Sequence, residues 1–258
     1  VTAPSANRER LDKLLVSRGL EESRERAQRR ILAGEVVVDQ HRVDKPGTLV
    51  RLDAEITLSG EQNAYVSRGG LKLEAALDHW QLDVHDLDAA DIGASTGGFT
   101  DCLLQRGARG VLAIDVGYGQ FAWKLRQDPR VRLLERTNVR ALDPEPLRTT
   151  IDLAAIDVSF ISLRLVLPNV LAMMRHGGRI LPLVKPQFEV GKHRIGTGGV
   201  VRDPQLRREA VDGIRDFAVD LGLVYLGALL SPVIGPKGNR EFFLHLQVPG
   251  SGPAEPLR

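Results

Sequence analysis

The chain has 258 residues, 43% of them hydrophobic and 26% charged, with a formal net charge of +2. That is a globular composition with room for one or two packed cores, and so small a net charge leaves nucleic-acid binding to be decided by where the arginines and lysines lie. A single cysteine, Cys102, excludes an internal disulfide and a cysteine-based zinc site, and the most apolar stretch, 151–174, is broken by Asp152, Asp157 and Arg164, which excludes a bilayer span.

Residues 1–7 and 249–258 are small, polar and rich in proline or glycine, and are expected to be disordered. The amino-terminal residues lack an apolar signal core, so a cytoplasmic protein is expected. Residues 8–58 read as a compact α+β unit. Leu11, Leu14 and Leu15 share one helical face, and Gly19 ends that helix. Ser23 caps a second helix running to Leu32, with Ala27 and Ile31 as its buried stripe. After Gly34 comes a hairpin pattern, Glu35 to Asp39 and Val43, and then a strand over 54–58. Arg8, Arg10, Lys13, Arg18, Arg24, Arg26, Arg29 and Arg30 are expected on the helical faces, set against Glu9, Asp12, Glu21, Glu22 and Glu25. Charge alone favours an ordinary solvated surface laced with i,i+4 ion pairs, although an arginine excess on the second helix is what gripping phosphates requires.

Residues 59–66 form a polar linker, and a short helix follows from Leu71 to His79. From Asp88 onward strand and helix patterns alternate, with strands near 89–92, 111–115, 131–134, 152–157 and 179–184, which predicts a parallel α/β sheet. A last long helix is capped by Asp203, has Pro204 at its first position and ends at Gly222. Strands near 224–230 and 241–248 are joined by a loop alone and must be antiparallel to each other. Five parallel strands and an antiparallel terminal hairpin make the seven-stranded sheet of class I methyltransferases, whereas a dinucleotide-binding fold would end in another parallel strand.

The segment Asp91-Ile-Gly-Ala-Ser-Thr-Gly-Gly-Phe99 places an acidic residue before a glycine turn that opens a helix. Glycines there let a nucleoside cofactor approach the backbone, and G-x-x-x-G-G differs from the G-x-G-x-x-G of dinucleotide binders, which favours S-adenosylmethionine over NAD. Ligands of such sheets collect at the carboxyl ends of the strands, where Asp91, Asp115, Asn138, Val139, Asp157 and Lys185 stand. Asp115 is placed to accept hydrogen bonds from ribose hydroxyls. Lys185 follows an apolar strand and precedes Pro186, which favours a functional role over a surface one. The glycine-rich segment 188–201 is expected to be a mobile flap or a solvated connection, with the flap favoured. The histidines show no metal-ligand spacing, and no metal is expected.

Taken together, Tyr65-Val-Ser-Arg-Gly-Gly-Leu-Lys-Leu73, Asp91 to Asp101, Asp115-Val-Gly-Tyr-Gly-Gln120, Asp157-Val-Ser-Phe-Ile-Ser-Leu163 and Leu183-Val-Lys-Pro-Gln-Phe-Glu189 resemble the TlyA family over residues 8–248. Members are ribosomal-RNA cytidine 2′-O-methyltransferases related to the FtsJ/RrmJ type, some of them labelled hemolysin. The resemblance implies a class I S-adenosylmethionine-dependent methyltransferase domain, Rossmann-like, over 67–248. It also implies an alpha-L RNA-binding domain over 8–58, with Arg8, Arg10, Lys13, Arg24, Arg26, Arg29 and Arg30 as RNA contacts. A Lys-Asp-Lys-Glu tetrad carries over to Lys72, Asp157, Lys185 and Glu241. For Lys72 and Glu241 the role rests on the resemblance alone. Gly93, Ala94, Ser95, Thr96 and Gly97 are then expected around the methionine end of the cofactor, with Asp91 before them, and Asn138 and Val139 at the adenine. Lys185 is expected nearest the reacting hydroxyl, as base or as positioning group. Ribosomal subunits are the expected partners, the large one first. A non-catalytic RNA-binding or assembly factor is the alternative, ahead of a small-molecule methyltransferase and a membrane-active haemolysin.

Overall fold

A computed structural model describes residues 8–58, 64–147, 149–235 and 238–250, leaving aside the side chains of Lys192 and Thr197. The tails 1–7 and 251–258 and the linker residues 59–63 lie outside the described residues. The chain divides into two compact units, Val1–Gln62 and Asn63–Arg258.

The first unit holds β1 (Arg8–Arg10), α1 (Leu11–Ser17), α2 (Arg24–Leu32), β2 (Val36–Val38), β3 (His41–Arg42), β4 (Leu49–Arg51) and β5 (Ile56–Leu58). Ser23 caps α2 by accepting from the Arg26 amide, and Gly19 leaves α1 at φ +68°. Leu11, Leu14, Leu15, Ala27, Ile31, Val36 and Val50 close the core between helices and strands. β2 pairs antiparallel with both β3 and β5, and β1 pairs with β4. This last pairing corrects the expectation for Arg8 and Arg10, which sit on a strand and not on a helical face. Three residues reading Arg-Glu-Arg carry no apolar alternation that would announce a strand.

The second unit begins with Tyr65 buried and hydrogen-bonded through its hydroxyl to Glu74, and with the Val66 amide held by Asp101. Its elements are α3 (Gly69–His79), β6 (Asp88–Ile92), α4 (Gly98–Gln105), β7 (Gly110–Ile114), α5 (Trp123–Arg126), β8 (Val131–Leu134), β9 (Ile151–Ile156), α6 (Leu167–Met173), β10 (Met174–Val184), α7 (Pro186–Glu189), α8 (Pro204–Asp220), β11 (Val224–Leu230) and β12 (Phe242–Gln247). The sheet order is β11-β12-β10-β9-β6-β7-β8. Strands buried on both faces read as continuous apolar runs. Thus Leu153 and Ala155 of β9 meet the layer of α3 and α4, while Ala154 and Ile156 meet that of α6 and α8.

The terminal hairpin forms as expected. β11 and β12 are antiparallel to each other, as their short connection requires, but β12 alone opposes the sheet. α8 carries the chain from β10 back across the sheet, so β11 lies parallel to the other five strands and β12 slots between β10 and β11. As a consequence, the start of β12 lies at the edge where the parallel strands end.

Candidate active site

At that edge β6, β7, β9, β10 and the start of β12 converge. Asp91, inside β6, is 1% exposed. Its Oδ2 accepts from the Thr100 amide at 2.9 Å and the Thr100 hydroxyl at 2.7 Å, which ties the strand to the first turn of α4. Its Oδ1 is buried without a partner, and burial pushes the carboxyl up to about 7, against the two Thr100 hydrogen bonds. Gly93 turns at φ +88°, and a Cβ there would stand 2.6 Å from the Asp157 carbonyl oxygen, so only glycine lets β6 leave the sheet this close to β9. Gly97, at φ +92°, turns the chain into α4.

Asp115, just past β7, accepts from the Ser95 amide at 2.7 Å and the Gly117 amide at 2.6 Å, and so fastens the glycine loop to its own. Each carboxylate oxygen keeps a further lone pair for a ligand. A cleft of about 410 Å³ opens here, lined by Gly93, Ser95, Asp115, Asn138, Val139 and Asp157 among others. A second, of about 420 Å³, shares Gly93, Ser95 and Asp157 with it and adds Lys72, Asp91, Ala94 and Thr96. Of the residues expected around a cofactor, only Gly97 lines neither.

The four residues named for catalysis come together from four separate segments. Lys72 Nζ, on α3, donates to Glu241 Oε2 at 2.6 Å and stands 3.8 Å from Asp157 Oδ2. Lys185 Nζ, just past β10, lies 2.6 Å from Asp157 Oδ1, a charge contact rather than an aligned hydrogen bond, and donates to Ser159 Oγ at 2.9 Å. The two lysines are each 7% exposed and Glu241 is fully buried. Two cations and two carboxylates balance, and removing any one would strand a buried charge at a cost of about 3–5 kcal/mol. Glu241 Oε1 has no hydrogen-bond partner.

Ser159 and Phe160 line the first cleft and Thr100 holds Asp91, although none of the three is named as a site residue within the motifs that contain them. Phe160 adopts φ +64° and is 91% exposed beside Ser159. The segment 188–201 is anchored at several points. Glu189 accepts from Ser162 and Leu163, Arg194 pairs with Glu209, and Asn239 bonds the Val201 amide and the Gly199 carbonyl.

In the first unit, four of the seven proposed RNA contacts are engaged within the unit. Arg10 and Arg24 each pair at 2.9 Å with Asp12, which is fully buried, and Arg26 and Arg30 pair with Glu22 and Glu21. Arg8, Lys13 and Arg29 are exposed and carry no ion pair among the described residues. No group of three or more metal-ligating side chains forms among the described residues, and no helix there is long and apolar enough to cross a membrane.

Residues 65–248 match the FtsJ-like methyltransferase family, and residues 9–56 match the S4 domain. The candidate rRNA methyltransferase YqxC of Bacillus subtilis is 49% identical over 249 residues, 96% of this chain and 89% of that protein. The 16S/23S rRNA (cytidine-2′-O)-methyltransferase TlyA of Mycobacterium tuberculosis is 49% identical over 243 residues, 94% of this chain and 91% of that protein. A solved structure from Streptococcus thermophilus, described as a candidate hemolysin, matches at a TM-score of 0.74 and 45% identity, over 97% of this chain and 93% of its own.

Proposed function

This chain belongs to the FtsJ-like methyltransferase family, in its TlyA branch, and we propose that it methylates the 2′-hydroxyl of a cytidine in ribosomal RNA, using S-adenosylmethionine. The observation that carries this reading is the buried Lys72, Glu241, Asp157 and Lys185 cluster, set where two clefts share Asp157.

The clefts fit the cofactor on their own chemistry. The unpartnered Asp91 Oδ1 is an acceptor awaiting a cationic donor, as the methionine amine is. Asp115 offers lone pairs to ribose hydroxyls, Asn138 and Val139 line the half of the cleft suited to adenine, and 93–96 supply close backbone. When bound, S-adenosylmethionine supplies a methyl group on a sulfonium, open to in-line displacement. Lys185 and Asp157 form the pair that receives the proton of the 2′-hydroxyl as the new carbon–oxygen bond forms. Ser159 fixes Lys185, and Lys72, anchored on Glu241, fixes Asp157, so alignment is set before the substrate arrives. Of the seven proposed contacts in the S4 unit, Arg8, Lys13 and Arg29 are those left to grip RNA phosphates, and the exposed face of the Phe160 ring can stack on an unpaired base.

The test is transfer of labelled methyl from S-adenosylmethionine to separated large and small ribosomal subunits from cells lacking this modification. Wild-type protein should label RNA at a ribose that then resists alkali, and Lys185→Ala should lower the rate by about 100-fold or more. Equal labelling by Lys185→Ala would remove the lysine from the reaction. RNA binding without transfer would support the assembly-factor alternative.

A further inference from the structure

The loop from Asp157 to Leu163 supplies a catalytic carboxylate, the hydroxyl that holds Lys185, and an exposed aromatic ring. It is also strained. A phenylalanine in the left-handed region costs about 1–3 kcal/mol and persists only where its surroundings over-determine it. A largely exposed ring gains little from burial that could offset this cost.

What holds the loop is the short segment after β10, at successive points. Lys185 grips Ser159 at 2.9 Å. The Phe188 ring meets the Phe160 ring at 5.2 Å between centroids. Glu189 then closes the series. Its Oε2 accepts from the Ser162 hydroxyl at 2.6 Å and its Oε1 from the Leu163 amide at 2.9 Å, just where a 3-10 turn begins at Leu163. Leu163 itself is buried in the core and anchors the far end of the loop. Glu189 lies four residues beyond Lys185, on the same turn of chain, since α7 starts at Pro186.

We propose that Glu189 is a positioning residue for methyl transfer, whose carboxylate locks the 157–163 loop to the Lys185 segment and so aims Asp157, Ser159 and Phe160. Without this clamp Ser162 and Leu163 lose both of their hydrogen bonds to the Lys185 segment, the loop is left to the Lys185 contacts with Asp157 and Ser159, the Phe188 ring and the buried Leu163 side chain, and Phe160 can relax to negative φ. Burial raises the Glu189 carboxyl, and the Ser162 and Leu163 hydrogen bonds oppose that rise, as expected of a half-buried acceptor retained for its contacts.

The kinetic arm of the test rests on the proposed function, and a second arm does not. With ribosomal subunits as substrate, Glu189→Ala should lower kcat about 10- to 100-fold and leave the KM for S-adenosylmethionine within about threefold, because Glu189 lines neither cleft. Glu189→Gln should recover most of the rate. Its carbonyl can accept from Leu163 and its amide can donate to Ser162. Amide hydrogen exchange of the free protein should show 158–163 losing protection in Glu189→Ala and keeping it in Glu189→Gln. A wild-type kcat in Glu189→Ala, or equal impairment in both variants, overturns the proposal. If wild-type protein transfers no methyl, the functional reading fails instead, and unchanged exchange of 158–163 in Glu189→Ala would still overturn the clamp.

Discussion

Burial lifts the Asp91 carboxyl to about 7 even though Thr100 donates twice to it. An aspartate in the unfolded chain ionises near 3.8, so between roughly pH 4 and 7 the folded protein keeps a proton that the unfolded chain has lost. Stability therefore falls as pH rises through that window and stays reduced above it. Asp91→Asn removes the titration while leaving an oxygen for Thr100. It should melt several degrees above wild type at pH 8 and close to it at pH 4, and at pH 8 it should bind S-adenosylmethionine about tenfold or more weakly, by calorimetry. Undiminished binding would remove Asp91 from the cofactor site. At this scale the sequence was uneven in what it disclosed. Asp91, Asp115, Asp157 and Lys185 were legible because an ionised residue closing an apolar strand has few places to go. Lys72 and Glu241 look like surface charges in one dimension, and only their resemblance to a known family marked them. Thr100, Ser159 and Glu189 stand inside the motifs that carried the resemblance, but no role could be read for them there, since each matters through a partner that folding alone brings near.

Helices with chemical punctuation were the most legible elements. The Ser23 and Asp203 caps and the glycines at 19 and 222 set the limits of α1, α2 and α8 through local hydrogen bonds and backbone freedom. Strand direction was harder. A loop-only connection makes β11 and β12 opposed, but which of them agrees with the sheet depends on α8 crossing over it. Within the first unit, Asp12 joins β1, α1 and α2 through Arg10, Arg24 and Gln28. The Arg10 hydrogen bond, foremost among these, holds its carboxyl well below the ordinary range. This contribution is present above about pH 4, where an unfolded aspartate is ionised, and is lost as pH falls below it. Asp12→Ala should destabilise the unit by about 2 kcal/mol at pH 7, with amide exchange quickening across 8–58 and unchanged across 64–250. An unaltered exchange pattern in 8–58 would show that the apolar core holds these elements unaided.

Across the whole molecule, the proposed grip on RNA phosphates and the proposed chemistry fall to different units. Because Arg10, Arg24, Arg26 and Arg30 are committed to carboxylates, the long-range attraction to RNA should come from fewer charges than the sequence contains. Replacing Lys13 and Arg29 together by alanine should reduce the slope of log K against log salt by about 1.5–2 for ribosomal RNA, and should weaken binding alike on cytidine-containing and cytidine-free targets. An unchanged slope would place the phosphate grip elsewhere.

The position of β12 has a consequence for the order in which the molecule is assembled. It is the seventh strand of its sheet to be synthesised, yet it occupies an interior place, between β10 and β11. Before it inserts, both neighbours present open edges, and those edges are a hazard for pairing with other chains. Its insertion closes them and, in the same movement, brings Glu241 to Lys72. Completing the sheet and completing the proposed reactive centre are therefore one structural event, the seating of β12.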